Sequence, residues 1–167
     1  MITFPLRQPT LAERIAVLTD EAGSINSLAS KAGLSRETVS HARSGSSLMH
    51  TSLSSLAQAA DCAPYVSCYK ESGRLVPITL DSDMLYLGAQ PPGYFADAIV
   101  AGLQRIDRSK KEFAFRLGIS VQSVSPYLNG HNLPATRLIS QYAAGADLVV
   151  VWLPKRLAAP VAVRTKI

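Results

Sequence analysis

The chain carries an internal repeat, and this feature constrains its fold more than any other. When the 167-residue sequence is shifted against itself by 85 positions, residues 28–62 align with residues 113–147 without a gap. All but the first of the following matched pairs are identical: Ile15/Val100, Leu18/Leu103, Ala29/Ala114, Gly33/Gly118, Ser35/Ser120, Val39/Val124, Ser40/Ser125, Gly45/Gly130, Leu48/Leu133, Thr51/Thr136, Leu53/Leu138, Ser55/Ser140 and Ala59/Ala144. The repeat predicts two copies of one small structural unit.

Each copy has the pattern of four short helices. Apolar residues recur at helical spacing in an opening segment, and serine and glycine then mark the segments that follow. Serine caps a helix by accepting a backbone N–H, and glycine tolerates the left-handed conformation at a helix end. The predicted starts and stops are Ser24, Gly33, Ser35 and Gly45 in the first copy, and Ser109, Gly118, Ser120 and Gly130 in the second. A fourth helix is expected over residues 51–60.

A β-hairpin is predicted after the helices of each copy. In the first copy YVSCYK and RLVPITL are separated by Glu71-Ser72-Gly73, a short turn sequence. The matching segments of the second copy are LVVVWL and VAVRTKI. Pro77 and Pro160 indicate edge positions or strand starts, because proline cannot donate to the ladder. The stretch 81–93 is interpreted as a linker, so the expected domains are residues 1–85 and 86–167.

Composition gives no support to an enzyme, a metal site or a membrane protein. The two cysteines, Cys62 and Cys68, form no CxxC pair, and the three histidines are scattered, so neither a metal nor another cofactor is expected. The longest apolar run, 148–153, is far shorter than the roughly 20 residues that cross a bilayer. The N-terminal segment lacks the pattern of a secretory signal, which makes the cytoplasm the expected location.

The centre of each copy is a helix, a turn through Gly-Leu-Ser or Gly-Ile-Ser, and a short second helix. The segments SINSLASKAGLSRETVSHARSG and SKKEFAFRLGISVQSVSPYLNG resemble the Cro/phage-repressor (XRE-type) helix-turn-helix family. The resemblance covers about residues 11–62 and 96–147. It implies a mainly α fold with small β-hairpins, in which two tandem helix-turn-helix units are each followed by a hairpin.

The second helix of each motif is the candidate recognition helix. An α-helix fits the major groove of DNA, and its outward side chains meet base edges. The candidate contacts in the first copy are Arg36, Glu37, Thr38, Ser40, His41 and Arg43. Those in the second copy are Val121, Gln122, Ser123, Ser125, Tyr127 and Asn129. Lys110, Lys111 and Arg116, on the first helix of that motif, complete the candidate DNA contacts, and the two lysines at its start suit a phosphate. Pro126 departs from the pattern because it removes a backbone donor, which predicts a bend in the second recognition helix.

Charge is distributed unequally between the copies. The chain has a net charge of +5 and a pI near 9.4, which suits an anionic partner. Residues 11–80 hold six basic and six acidic side chains, whereas residues 96–165 hold nine basic and four acidic ones. The second copy is therefore expected to supply most of the electrostatic affinity for double-stranded DNA.

These features predict a sequence-specific DNA-binding transcriptional regulator, a repressor rather than an activator. The family resemblance implies a bacterial or mobile-element origin. The sequence leaves open whether the chain forms a homodimer or an intrachain pseudo-dimer through its hairpins. It also leaves a second function open, in which the same fold docks on another regulator as an antiactivator or antirepressor.

Overall fold

The computed structural model describes residues 3–59, 62–78 and 92–154. This part of the chain is mainly helical and contains one small antiparallel sheet. Its helices are α1 (Leu11–Ala22), α2 (Ile25–Ala32), α3 (Arg36–Arg43), α4 (His50–Ala59), α5 (Pro92–Arg105), α6 (Lys110–Leu117), α7 (Val121–Leu128) and α8 (Thr136–Gly145). Its strands are β1 (Phe4–Pro5), β2 (Cys62–Glu71), β3 (Arg74–Pro77) and β4 (Val149–Pro154). None of the described helices is long and apolar enough to span a membrane.

The helix pairs α2–α3 and α6–α7 have the same local design. All four helices contain eight residues, and each helix of the second pair begins 85 positions after its counterpart. The four predicted capping serines each accept a hydrogen bond from the backbone N–H three residues later. Gly33 and Gly118 have φ of 66° and 72°, so both turns use the left-handed conformation that glycine favours. The predicted starts and stops of these helices are confirmed.

The opening helices follow a register that differs by one residue from the predicted one. Ile15 is 1% exposed, but its predicted counterpart Val100 is 37% exposed, and the neighbouring Ile99 is fully buried. Ile15 therefore corresponds to Ile99, because only this pairing places the same helix face against the core. The extra residue is accommodated before α6, where Asp107 has a φ of 52° and Arg108 precedes the capping serine.

The strands form a single sheet in the order β1-β3-β2-β4. The predicted hairpin of the first copy is confirmed, with β2 and β3 joined through Ser72 and Gly73. The prediction of an edge strand or a strand start at Pro77 is wrong, because Pro77 ends β3, which lies between β1 and β2. Pro77 lies beyond the two residues of β3 that pair with β1, so its missing N–H interrupts no pairing with β1. Of the second predicted hairpin the structure describes the first strand, β4, which pairs with β2. The predicted second strand, VAVRTKI, and Pro160 lie outside the described residues.

The pairing of β2 with β4 joins the two copies directly. The strands are antiparallel, and Val66 lies opposite Val151. These two valines are 85 positions apart, which is the repeat offset itself, and both are fully buried. A strand pair in which a residue faces its own repeat counterpart has the register that a local two-fold axis produces.

One hydrophobic core contains residues from both copies. Its buried members include Leu28 and Val39 of the first copy and Phe113 and Val124 of the second. Phe113 is accommodated by Gly145, where an added Cβ would lie only 2.8 Å from Phe113 Cε2. The two copies therefore fold against each other, through the shared sheet and through contiguous apolar side chains.

Candidate nucleic-acid interface

Helix α3 presents most of its polar residues to solvent. Val39 is fully buried and Ala42 is 2% exposed, and together they hold one face of the helix against α1 and α2. This anchoring leaves four of the predicted contact residues exposed: Arg36, Glu37, His41 and Arg43. A short helix carrying two guanidinium groups on its exposed surface can donate bidentate hydrogen bonds to guanine or to phosphate.

Helix α7 has the same anchor but a different surface. Val124 is fully buried, as its counterpart is in α3. Gln122 and Asn129 are exposed and can hydrogen-bond a base edge or a phosphate oxygen. The outward orientation predicted for Val121 and Tyr127 is not observed, because both side chains are half-buried and contact the hydrophobic core.

The position of Tyr127 has a clear physical reason. Its ring meets the ring of Tyr142 edge-on, with centroids 5.4 Å apart. Tyr142 also contacts Phe113 edge-on at 5.8 Å, so Tyr127 extends an aromatic cluster of the second copy. Burial, and to a smaller extent the neighbouring Tyr127, raise the pKa of Tyr142 above its usual value.

Several predicted hydroxyl contacts are engaged within their own helices. Thr38 shares a 2.8 Å hydrogen bond with the capping Ser35, and Ser123 shares one of 2.9 Å with Ser120. Ser125 donates to the carbonyl of Val121 at 2.9 Å. Because a hydroxyl is both donor and acceptor, these groups keep some capacity to bind a ligand. Ser40 is half-buried.

Pro126 does not break α7, which continues to Leu128. Proline has no N–H, so the carbonyl of Gln122 lacks its usual donor four residues later. The helix closes beyond this point with bonds from Asn129 N–H to the Ser125 carbonyl and from His131 N–H to the Pro126 carbonyl.

The predicted basic residues of α6 lie at its two ends. Lys110 is half-buried and Lys111 is exposed, both in the first turn, where backbone donors and the helix dipole favour an anion. Arg116 lies near the other end and forms a 3.2 Å ion pair with Glu112, one turn earlier. Both side chains of that pair are about half exposed, so the pair leaves Arg116 accessible to a competing anion.

Phe115 is an exposed residue that the sequence interpretation did not single out. It lies on α6 and is 83% exposed, and Ile119 in the following turn is 36% exposed. The signal was present in the sequence, because Phe113 and Phe115 are two positions apart and cannot both face the core from one helix.

The remaining candidate chemistry is limited. Cys68 is fully buried, and burial raises the pKa of its thiol to about 12, which makes it unreactive at neutral pH. Among the residues that the structure describes, no three His, Cys, Asp or Glu side chains come close enough to hold a metal ion. Comparisons with protein-family models, curated proteins and solved structures find no match for this chain.

Proposed function

We propose that the chain is a sequence-specific DNA-binding repressor that carries two helix-turn-helix units as an intrachain pseudo-dimer. The observation that carries the proposal is the repeated pair of eight-residue helices, capped and turned alike at an 85-residue offset. In both pairs a buried valine anchors the second helix and leaves most of its polar side chains exposed. Presenting a short polar helix on a rigid base is what insertion into a major groove requires.

The pairing of Val66 with Val151 supports the pseudo-dimer. Two-fold related units suit DNA, because the duplex backbone has local two-fold symmetry and dimeric regulators read half-sites about 34 Å apart. In this chain α3 and α7 differ in sequence, so the two half-sites would differ as well. A bound protein of this kind would repress by occupying its operator.

Selection of bound fragments from random DNA tests the proposal. The expected product is one motif with two unlike half-sites whose centres lie about one duplex turn apart. A perfectly palindromic motif would contradict the pseudo-dimer and indicate a homodimer in which one unit of each chain reads DNA. Failure to enrich any sequence, from a protein shown to be folded by circular dichroism, would reject the proposed function.

A second candidate function is docking on another regulator, and the observation that favours it is the exposed Phe115. Large aromatic side chains with this exposure are frequent anchors of protein interfaces. Salt distinguishes the two functions, because DNA affinity falls steeply with ionic strength and burial of an apolar side chain does not. Phe115→Ser should abolish docking and leave DNA binding intact.

A further inference from the structure

A cleft of about 720 Å³ lies where the two copies meet. Its walls come from the chain before and at the start of α1, from the α3–α4 connection, from the first half of α8 and from β4. The cleft is open to solvent, and its volume falls within the roughly 300–1,000 Å³ of clefts and cavities that bind small organic ligands. The cleft is separate from the exposed residues of α3 and α7 described above.

The walls of the cleft are fixed by hydrogen bonds between the copies. Thr136 N–H donates to the Leu48 carbonyl at 2.8 Å, and Leu48 N–H donates to Thr136 Oγ1 at 2.9 Å. Arg137 N–H donates to Ser47 Oγ at 3.1 Å. On the opposite side Arg14 Nε donates to the Trp152 carbonyl at 2.9 Å. These bonds hold α8 against the α3–α4 connection, so the cleft exists before any ligand binds.

The side chains of the cleft define the chemistry of its ligand. Of the described residues that line it, Arg137 alone carries a charge, and its guanidinium forms no ion pair with a described residue. The same cleft is also lined by residues with hydroxyl and amide groups, namely Gln8, Thr10, Ser46, Ser47, Ser140 and Gln141. The apolar part of the wall is formed by Leu6, Leu11, Val149, Val150 and Trp152. A ligand that fits this lining carries one negative charge, which Arg137 can bind, and an apolar body, which can pack against the apolar wall.

The cleft is not a by-product of the repeat. At the repeat offset Thr136 corresponds to Thr51, which is exposed, whereas Thr136 is 5% exposed. Arg137 corresponds to the uncharged Ser52, and the polar Gln141 corresponds to the buried Leu56. Arg137 and Gln141 therefore have no counterpart of the same chemistry in the first copy, so the two copies differ at these positions.

We propose that this cleft binds a small organic anion that carries one negative charge and an apolar, ring-sized body. The anionic group bonds to Arg137 and the neighbouring hydroxyls, and the body lies against Trp152 and Val149. The wall also includes Ala42 and Gly45, at the end of α3. A bound ligand therefore touches the helix whose other face carries Arg36 and Arg43.

Two fluorescent probes that share an apolar body test the proposal. The first, 8-anilinonaphthalene-1-sulfonate, carries one negative charge, and the second, N-phenyl-1-naphthylamine, carries none. Trp152 is the only tryptophan of the chain and lines the cleft, so binding is followed by energy transfer from its emission. The anionic probe should saturate at one molecule per chain and bind more tightly than the neutral probe.

Arg137→Met removes the charge and keeps a long, unbranched side chain. It should weaken the anionic probe about tenfold or more and leave the neutral probe unchanged, because the variant removes only a charged hydrogen-bonding partner. Arg74→Met, at an exposed arginine of β3 outside the cleft, is the matched control and should change neither affinity. Ser140→Phe fills the cleft and should abolish transfer from Trp152 to both probes.

The measurement uses no DNA, so its outcome is independent of the proposed function. Equal binding of the anionic probe to the native chain and to Arg137→Met would overturn the proposal. Binding that does not saturate, or that survives Ser140→Phe, would overturn it as well, since the probe would then lie on the general surface. Thermal unfolding of each variant verifies that the chain remains folded.

Discussion

Helices α3 and α7 occupy equivalent places in the two copies, and they differ in what they expose. Both begin after a capping serine and bury one valine completely. Helix α3 exposes two arginines, a glutamate and a histidine, whereas α7 has no charged side chain and contains Pro126. The positive charge of the second copy lies on other segments, including α6 with Lys110 and Lys111. Both copies therefore share the same capping serine and buried valine, but they expose different side chains.

The largest expected effect concerns the shared core. Phe113→Ala should lower the free energy of unfolding by about 3–5 kcal/mol, because it empties a fully buried ring site beside Tyr142. The equivalent change in the first copy, Leu28→Ala, should cost about 2–5 kcal/mol. Chemical denaturation followed by circular dichroism and by Trp152 emission measures both. Because one core and one sheet join the copies, each variant should unfold in a single transition.

Phe115→Ala is the matched control for that change, since it removes the same side chain from the same helix at an 83% exposed position. It should alter the free energy of unfolding by no more than about 0.5 kcal/mol. Two separated transitions in either core variant would show that the copies are independent domains. Each copy would then have its own free energy of unfolding.

The positions of the short helices could be predicted from the sequence because they depend on interactions between residues close together in the chain. Serine caps and glycine turns act within a few residues, so the bounds of α2, α3, α6 and α7 follow from spacing alone. The orientation of Tyr127 depends on Tyr142, 15 residues further along the chain, and no local pattern signals that contact. The cleft around Arg137 escaped prediction for the same reason, because its walls come from four distant segments.

A second prediction compares base reading by the two copies. Arg36→Ala and Gln122→Ala should each weaken specific DNA binding by about 1–3 kcal/mol, because each removes a hydrogen-bonding group expected to face a base edge. Each should relax the preference at one position, and the two positions should lie in different half-sites. Selection repeated with each variant measures this directly.

Ser30→Ala serves as the control for both, because Ser30 is exposed on α2 rather than on α3 or α7. It should leave the selected motif unchanged. If Arg36→Ala alters the motif and Gln122→Ala does not, then only the first copy reads bases, and α7 holds the protein on DNA without specificity.

A third prediction tests whether the turns of the two copies are equivalent. Gly33→Ala and Gly118→Ala should each destabilise the protein by about 1–2 kcal/mol, because both positions require a left-handed backbone. Neither added Cβ would contact another atom within 4 Å, so strain alone sets the cost. Gly93→Ala, at an equally open position without positive φ, should not destabilise the chain. Clearly unequal costs for Gly33→Ala and Gly118→Ala would mean that the turns differ.

The smallest expected effect separates electrostatic attachment from base reading. Replacing Lys110 and Lys111 by alanine should reduce the slope of log affinity against log salt by roughly 0.9 for each phosphate that the lysines no longer neutralise. The selected motif should not change, because phosphate contacts position the protein and carry no base information. Fluorescence anisotropy with a labelled operator at several salt concentrations measures the slope.

Asn26→Ala supplies the comparison with the first copy, since Asn26 is exposed and uncharged and corresponds to Lys111 at the repeat offset. It should leave the slope unaltered. Solubility is the competing role for the two lysines, and it predicts no change in slope from their replacement. An unchanged slope would contradict the prediction that the second copy supplies most of the electrostatic affinity for DNA. The docking function would then gain support, because the exposed Phe115 lies on the same helix as the two lysines.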